Sequence, residues 1–257
     1  MKVLAIIQAR LGSTRFPNKI LQKLGNKTII QILIERLSKT KLIDKIVVAT
    51  TKSKNDDELV NHIKSLKKEF FRGSENDVLD RYYKTAKNYK PNYVLRITAD
   101  CPFIDPQIVD KVISSHLKNK NIITSNISIP TFPDGLDVEI FDFEILKKTW
   151  SKAKNDFDRE HVTPYIKKNY KVNIFKNKRD YSNLRLTLDE PEDLEVLKCI
   201  YKYFNNKNNF LFEDIIRLYK KKPKIFKLNS HIKRDEGSYM KKGQKLWKRA
   251  KKIIPSG

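Results

Sequence analysis

Val3-Leu4-Ala5-Ile6-Ile7-Gln8-Ala9-Arg10-Leu11-Gly12-Ser13-Thr14-Arg15-Phe16-Pro17-Asn18-Lys19 is the stretch on which the fold turns. Residues 3–7 form a continuous apolar run with a turn signal right behind it, as expected of a strand buried on both faces. In open α/β sheets, ligands sit beyond the carboxyl ends of such strands. The loop that follows offers backbone N–H groups, small residues and three cations. Gly12 lets the backbone approach phosphate oxygens, and Arg10, Arg15 and Lys19 neutralise them. It is neither a Walker loop nor a dinucleotide-binding glycine loop. An ordinary polar loop with surface cations fits the same residues.

Working outward, residues 29–37 have helical spacing through Ile30, Leu33, Ile34 and Leu37. Residues 45–49 are a second buried strand and 56–66 a second helix. A short strand at 69–71, a helix at 78–88 and a strand at 93–98 follow, the last ended by Asp100-Cys101-Pro102. Strands alternating with helices predict parallel βαβ units and a doubly wound α/β sheet. Beyond residue 120 the pattern changes. Residues 121–125 and 138–141 are expected as strands flanking a Pro-containing loop at 129–135, and helices are expected at 143–153, 160–167, 192–204 and 211–220. Residues 1–230 form one domain. Residues 231–257 are a linker and a basic helix with Leu246, Trp247, Ala250 and Ile253 on its apolar side.

Composition limits the function classes. The 257 residues are enough to bury a core. Cys101 and Cys199 give no disulfide framework and no CxxC spacing, which points to a reducing cytoplasm. No apolar stretch approaches the roughly 18 residues of a spanning helix. Lys and Arg number 54 against 30 Asp and Glu, a net charge of +24. The cations are spread along the chain and no zinc-finger or RNP-type motif accompanies them, so a solvated Lys-rich surface is expected, with neither nucleic acid nor membrane as partner.

The run from Gln8 to Leu21 resembles the opening signature of the spore-coat polysaccharide cytidylyltransferases, relatives of the CMP-KDO and CMP-acylneuraminate synthetases. Five further motifs carry the resemblance in order: Arg72-Gly73-Ser74-Glu75-Asn76-Asp77-Val78-Leu79-Asp80-Arg81; Leu95-Arg96-Ile97-Thr98-Ala99-Asp100-Cys101-Pro102; Phe132-Pro133-Asp134-Gly135-Leu136-Asp137-Val138-Glu139; Asp158-Arg159-Glu160-His161-Val162-Thr163-Pro164-Tyr165; and Arg185-Leu186-Thr187-Leu188-Asp189-Glu190-Pro191-Glu192-Asp193-Leu194. The resemblance implies a Rossmann-like, doubly wound mixed sheet of the nucleotide-diphospho-sugar transferase type, CTP as donor, Mg²⁺ as cofactor, and a homodimer.

Asp100 ends a buried strand, where its carboxylate faces the nucleotide pocket, and Mg²⁺ is commonly held by one or two carboxylates plus phosphate oxygens. The resemblance supplies Asp189 as the second ligand, although Asp189-Glu190-Pro191-Glu192 also reads as a helix start. It makes Arg10, Lys19 and Asp100 the catalytic set. Nucleotide contacts are expected from Gln8, Ala9, Arg10, Gly12, Ser13, Arg15, Lys19, Thr98, Ala99 and Asp100. Arg72, Ser74, Asp77 and Arg81 lie over base and ribose by resemblance, while Ser74 and Asp77 equally suit a helix cap. Asp134, Asp137, Glu139, Arg159, His161 and Arg185 are candidates for the acceptor pocket. His161 alone also fits a structural histidine, and Glu160 a first-turn carboxylate favoured by the helix dipole.

The expected reaction moves CMP from CTP to an acidic sugar-type, phosphate or phosphonate acceptor and releases pyrophosphate. The alternatives are a sugar-1-phosphate nucleotidyltransferase using another NTP and a non-catalytic nucleotide-binding module. Residues 238–255 resemble the opening of class III, PLP-dependent aminotransferases, which implies a fused or partner aminotransferase downstream.

Overall fold

The computed structural model describes residues 2–13 and 15–234. The segment that resembles an aminotransferase start lies outside the described residues. The strands are β1 Val3–Gln8, β2 Lys23–Leu24, β3 Lys27–Thr28, β4 Lys45–Thr51, β5 Glu69–Gly73, β6 Tyr93–Thr98, β7 Ile123–Ser125, β8 Glu139–Asp142 and β9 Val172–Ile174. The helices are α1 Ile29–Leu37, α2 Asp57–Ser65, α3 Val78–Tyr89, α4 Pro106–Lys118, α5 Phe143–Lys152, α6 Asp156–His161, α7 Pro164–Asn169, α8 Pro191–Tyr203, α9 Phe212–Lys221 and α10 Pro223–Lys227.

Seven strands make one sheet in the order β5-β4-β1-β6-β8-β7-β9, and β2 and β3 form a small separate hairpin. β1 pairs in parallel with β4 and β6, and β4 with β5. β8 runs antiparallel to both β6 and β7, which makes the sheet mixed. Side chains alternate along a strand. Val3, Ala5 and Ile7 therefore enter a core with α1, α4, α8 and α9, whereas Leu4 and Ile6 enter a second core with α3 and α5. This two-sided burial is why β1 reads as an unbroken apolar run. Among the described residues no helix is long and apolar enough to cross a membrane.

The structure departs from the sequence expectation at β2, β3, β9, α4 and α10, all in stretches left without an element, and at residues 160–167. α4 occupies a stretch left unassigned. Asp105 caps it, accepting from the backbone N–H groups of Gln107 at 2.7 Å and Ile108 at 3.2 Å, with Pro106 in the first turn. The helix expected at 160–167 is instead two, α6 and α7. Between them Val162 has φ 70° and ψ −55°, and the Thr163 N–H donates back to the His161 carbonyl at 2.8 Å, a γ-turn. Pro164 has no N–H with which to continue the first helix, and it opens the second as its first residue.

Candidate active site

The site gathers at the carboxyl ends of β1 and β6. The Ala99 N–H donates to the Gln8 carbonyl at 3.1 Å, which sets Asp100 beside the first loop. That loop is pinned at its start: the Ala9 N–H donates to the Ala49 carbonyl at 3.1 Å, and the Leu11 N–H to Asp56 Oδ1 at 2.7 Å. Asp56 is buried and also accepts from the Thr50 hydroxyl at 3.1 Å. The sequence offers it only as a helix-start residue. Its role here is to fix the loop. The chain then turns through Asn18 in the left-handed region at φ 55° and presents Lys19. A Cβ added to Gly12 would meet nothing within 4 Å, so this stretch of backbone stands open to a ligand.

Asp189 reaches the same place by a different route. The Leu186 N–H donates to the Asp134 carbonyl at 2.6 Å and the Leu188 N–H to the Asp100 carbonyl at 2.9 Å. Gly135 makes this fit: it sits at φ 100°, and a Cβ there would lie 2.5 Å from the Leu186 carbonyl carbon. Asp193, fully buried in the first turn of α8, accepts from the backbone N–H groups of Asp189 at 2.9 Å and Glu190 at 3.0 Å.

At the centre, Lys19 Nζ lies 2.7 Å from Asp100 Oδ2 and 2.7 Å from Asp189 Oδ1. Burial pushes the ammonium pKa down, but Asp100 and Asp189 more than offset this and hold it above the ordinary lysine value. Burial likewise pushes Asp189 up, and Lys19, Arg15 and Arg185 outweigh it, leaving the carboxyl below the usual range. Arg15 reaches Asp189 at 3.1 Å and Glu190 at 2.7 Å. Arg185 has every nitrogen engaged: Nε with Asp193 at 2.8 Å, Nη1 with Asp134 at 2.7 Å, and Nη2 with Asp189 at 2.9 Å and Asp193 at 3.0 Å. Asp134 and Asp137 are pushed upward by burial, and for Asp134 the neighbouring Asp137 charge adds to it, against the pull of Arg234.

Arg234, which the sequence does not single out, bonds to Asp137 and donates to the Phe132 carbonyl at 3.3 Å. Asn229 bonds to the Arg185 carbonyl at 3.2 Å and to Asp193 at 2.9 Å. These residues lie on either side of position 230, where the sequence places the domain end, and both bond to the site. No local pattern could have signalled Arg234, because its partners lie nearly a hundred positions earlier.

The remaining candidates take up different positions. Arg10 is exposed at the lip, and Ser13 closes a turn through its N–H to the Leu11 carbonyl at 2.7 Å. Gln8 Oε1 is buried with no hydrogen-bond partner, and Thr98 Oγ1 lies 3.2 Å from Cys101 Sγ. Arg72 is committed to the carbonyls of Thr51 and Ser53, each at 2.8 Å, and to Asp57 at 2.7 Å, tying β5 to the end of β4. Ser74 Oγ accepts from the Asp77 N–H at 3.1 Å, and Arg81, fully buried, donates to the Ser74 carbonyl. Asp77 caps α3 and pairs with Arg159 at 2.6 Å, and Arg159 also donates to the Trp150 and Ala153 carbonyls at 3.1 and 2.9 Å. This pair latches the 74–77 loop to α6. Glu139, 1% exposed, is enclosed by Arg96 at 3.3 Å, Lys167 at 2.6 Å, Ser125 at 3.1 Å and Thr163 at 3.0 Å, away from the Lys19 cluster. His161 packs on Phe157 with ring centroids 4.6 Å apart.

A cation-lined loop after the first strand and two convergent carboxylates at the sheet's carboxyl edge define a nucleotidyltransferase. A model of the cytidylyltransferase family matches residues 4–235, and the chain belongs to that family. An uncharacterised protein of Methanocaldococcus jannaschii is 41% identical over 242 residues, covering 91% of this chain and 96% of that protein. The spore coat polysaccharide biosynthesis protein SpsF of Bacillus subtilis is 32% identical over 231 residues, covering 86% and 95%. A cytidylyltransferase structure from Leptospira borgpetersenii is 39% identical, with a TM-score of 0.84, and covers 88% of this chain and 97% of that one.

Proposed function

We propose that this cytidylyltransferase transfers CMP from CTP to an acidic, sugar-type acceptor and releases pyrophosphate. The observation that carries the reading is Lys19 held between Asp100 and Asp189, 2.7 Å from each. Two carboxylates that close on one cation are the donor set Mg²⁺ uses beside phosphate oxygens. Asp100 and Asp189 would hold Mg²⁺, which supplies charge to the α-phosphate and its leaving group.

An acceptor oxygen attacks the α-phosphorus in line, and the bond to the bridging oxygen of pyrophosphate breaks. Lys19, which lies 2.7 Å from both carboxylates, offsets charge growing on the leaving oxygen. Arg10 and Arg15, on the open loop around Gly12, take up the charge of the departing pyrophosphate. A carboxylate or phosphate acceptor arrives ionised and needs no strong base, so orientation dominates the remaining barrier. The name of the Bacillus relative, a spore coat polysaccharide biosynthesis protein, supports a sugar-type acceptor.

The test is pyrophosphate release from CTP and Mg²⁺ with a panel of 2-oxo sugar acids, polyol phosphates and phosphonates. CTP-specific turnover with a member of the panel is the expected result. Equal turnover with ATP, GTP or UTP, or none with CTP, would overturn the reading.

A further inference from the structure

The two carboxylates that would hold Mg²⁺ already carry cations of the chain itself. Asp189 has both oxygens engaged: Oδ2 accepts from Arg185 Nη2 at 2.9 Å, and Oδ1 meets Lys19 Nζ at 2.7 Å and Arg15 Nη2 at 3.1 Å. Asp100 gives Oδ2 to the same ammonium at 2.7 Å, while its Oδ1 faces the Cys101 thiol at 3.6 Å. The ammonium therefore stands on one oxygen of each carboxylate. An ion that joins the two must take an Asp189 oxygen from a cation that already holds it.

The cations differ in how readily they can yield. Arg185 is only 5% exposed, and each of its nitrogens is engaged by Asp134, Asp189 or Asp193. Lys19 is a point charge on a flexible stem, and its bonds are to the two carboxylates. Charge sets the order of events. Lys19, Arg15 and Arg185 bring three positive charges to the two carboxylates, so a free divalent cation meets a place with no net attraction. A triphosphate reverses this balance, because its oxygens are good partners for an ammonium and for Mg²⁺ alike.

We propose that Lys19 is a resident counter-cation that excludes free Mg²⁺ from Asp100 and Asp189, and that the chain takes Mg²⁺ only with the nucleotide, whose phosphates draw the ammonium off the carboxylates. The proposal rests on the reading of the protein as a Mg²⁺-dependent cytidylyltransferase. Lys19 then has two places, between the carboxylates in the free protein and on the phosphates when nucleotide is bound. The exchange is reciprocal by linkage: the factor by which nucleotide raises metal affinity is the factor by which metal raises nucleotide affinity. Removing the ammonium should raise the affinity of the nucleotide-free chain for Mg²⁺ and shrink that factor.

The experiment is a calorimetric titration of the full chain with Mg²⁺ alone, without nucleotide or turnover. Lys19→Ala should bind Mg²⁺ about ten- to a hundredfold more tightly than the wild type, the range of a typical coupling between two ligands. Lys19→Gln should do the same, so the result does not hang on one variant, and melting curves without metal check both folds. Arg10→Gln controls for general charge: Arg10 is exposed at the lip, and its removal should change Mg²⁺ affinity by less than about twofold, because exposed charges are screened. Mg²⁺ affinity no higher in the two Lys19 variants than in the wild type overturns the proposal, as does equal tightening by Arg10→Gln. Adding Asp100→Asn to Lys19→Ala separates this from the reading beneath it. The gained affinity should vanish; if it survives, the ion binds elsewhere and the metal assignment falls with the proposal. If instead Asp100→Asn weakens Mg²⁺ binding while the Lys19 variants gain nothing, the metal assignment stands and the exchange alone is refuted.

Discussion

Replacing Asp193 with Ala tests how the site is held together, because Asp193 touches no reacting atom. Its carboxylate is fully buried and accepts from Arg185 at 2.8 and 3.0 Å, from the backbone of Asp189 at 2.9 Å and Glu190 at 3.0 Å, and from Asn229 at 2.9 Å. Truncation leaves a guanidinium 5% exposed and short of a partner, two helix-start N–H groups unmade, and an amide orphaned. Breaking one member of a buried ion pair costs about 3–5 kcal/mol. The bonds lost here act as a unit, so the figure is not multiplied by their number. Against a total stability of about 5–15 kcal/mol, the domain should remain folded at 25 °C but lose a large share of its margin. Urea denaturation should show a lower midpoint at unchanged slope. Activity should fall as well, because the Asp189 backbone is no longer fixed opposite Asp100. A loss of stability under about 1 kcal/mol, the range of an exposed pair, together with wild-type turnover would refute the view that Asp193 positions the second carboxylate.

Asp100→Asn should abolish turnover with the fold intact, and a residual rate above about a tenth of wild type, under ~1.4 kcal/mol of barrier, would rule out its role at the reacting phosphate. Lys19→Ala should cut turnover about a hundredfold at saturating CTP, the range for losing one preorganised charge stabiliser; unchanged turnover would make Lys19 a structural cation. Gly135→Ala combines a backbone at φ 100° with a contact 2.5 Å from the Leu186 carbonyl carbon, and should lower stability by more than the ~1–3 kcal/mol of the strained φ alone, as a drop in melting temperature shows. Burial pushes Glu139 up, but Lys167 and Arg96 outweigh it and hold its pKa below 4.5. A depressed folded-state pKa means its stabilisation is complete above 4.5 and drains as pH falls through the folded value. As pH falls below 4.5, Glu139→Gln should therefore lose less stability than the wild type, and parallel losses would contradict the pairing.

Much of the fold was legible because burial writes itself locally. The doubled burial of β1 leaves a run with no polar interruption, and the strand and helix alternation up to β6 follows from residues close in sequence. What escaped had identifiable reasons. α4 carries a start signal in Asp105-Pro106 and apolar residues at Ile108, Val109, Val112 and Ile113, but it follows the Asp100-Cys101-Pro102 turn so closely that the first Pro reads as a strand end and hides the second as a helix start. The division of α6 from α7 depends on Val162 at φ 70°, a conformation that β-branched residues avoid and that periodicity cannot reveal.

The site shows the opposite balance, since motifs named its charges while the fold decided their partners. Asp77 and Arg159 both entered as ligand contacts, yet 82 positions apart in sequence they meet each other. Glu139 entered with Asp134 and Asp137 from one short loop motif, but it lies at the start of β8, where its register partner is Arg96 and the interior encloses it. Asp134 and Asp137 lie before that strand and stay at the cleft with Arg185 and Arg234. Spacing alone presents one acidic triplet; the strand boundary divides it into one enclosed anion paired with Arg96 and Lys167 and two that meet Arg185 and Arg234. The physical order of dependence is then clear. Asp193 and Gly135 set the backbone that carries Asp189, and Asp189 and Asp100 close on Lys19. Each step relies on contacts between residues far apart in the chain, so a substitution at Asp193 or Gly135 should register in CTP turnover although neither residue lies where the nucleotide would bind.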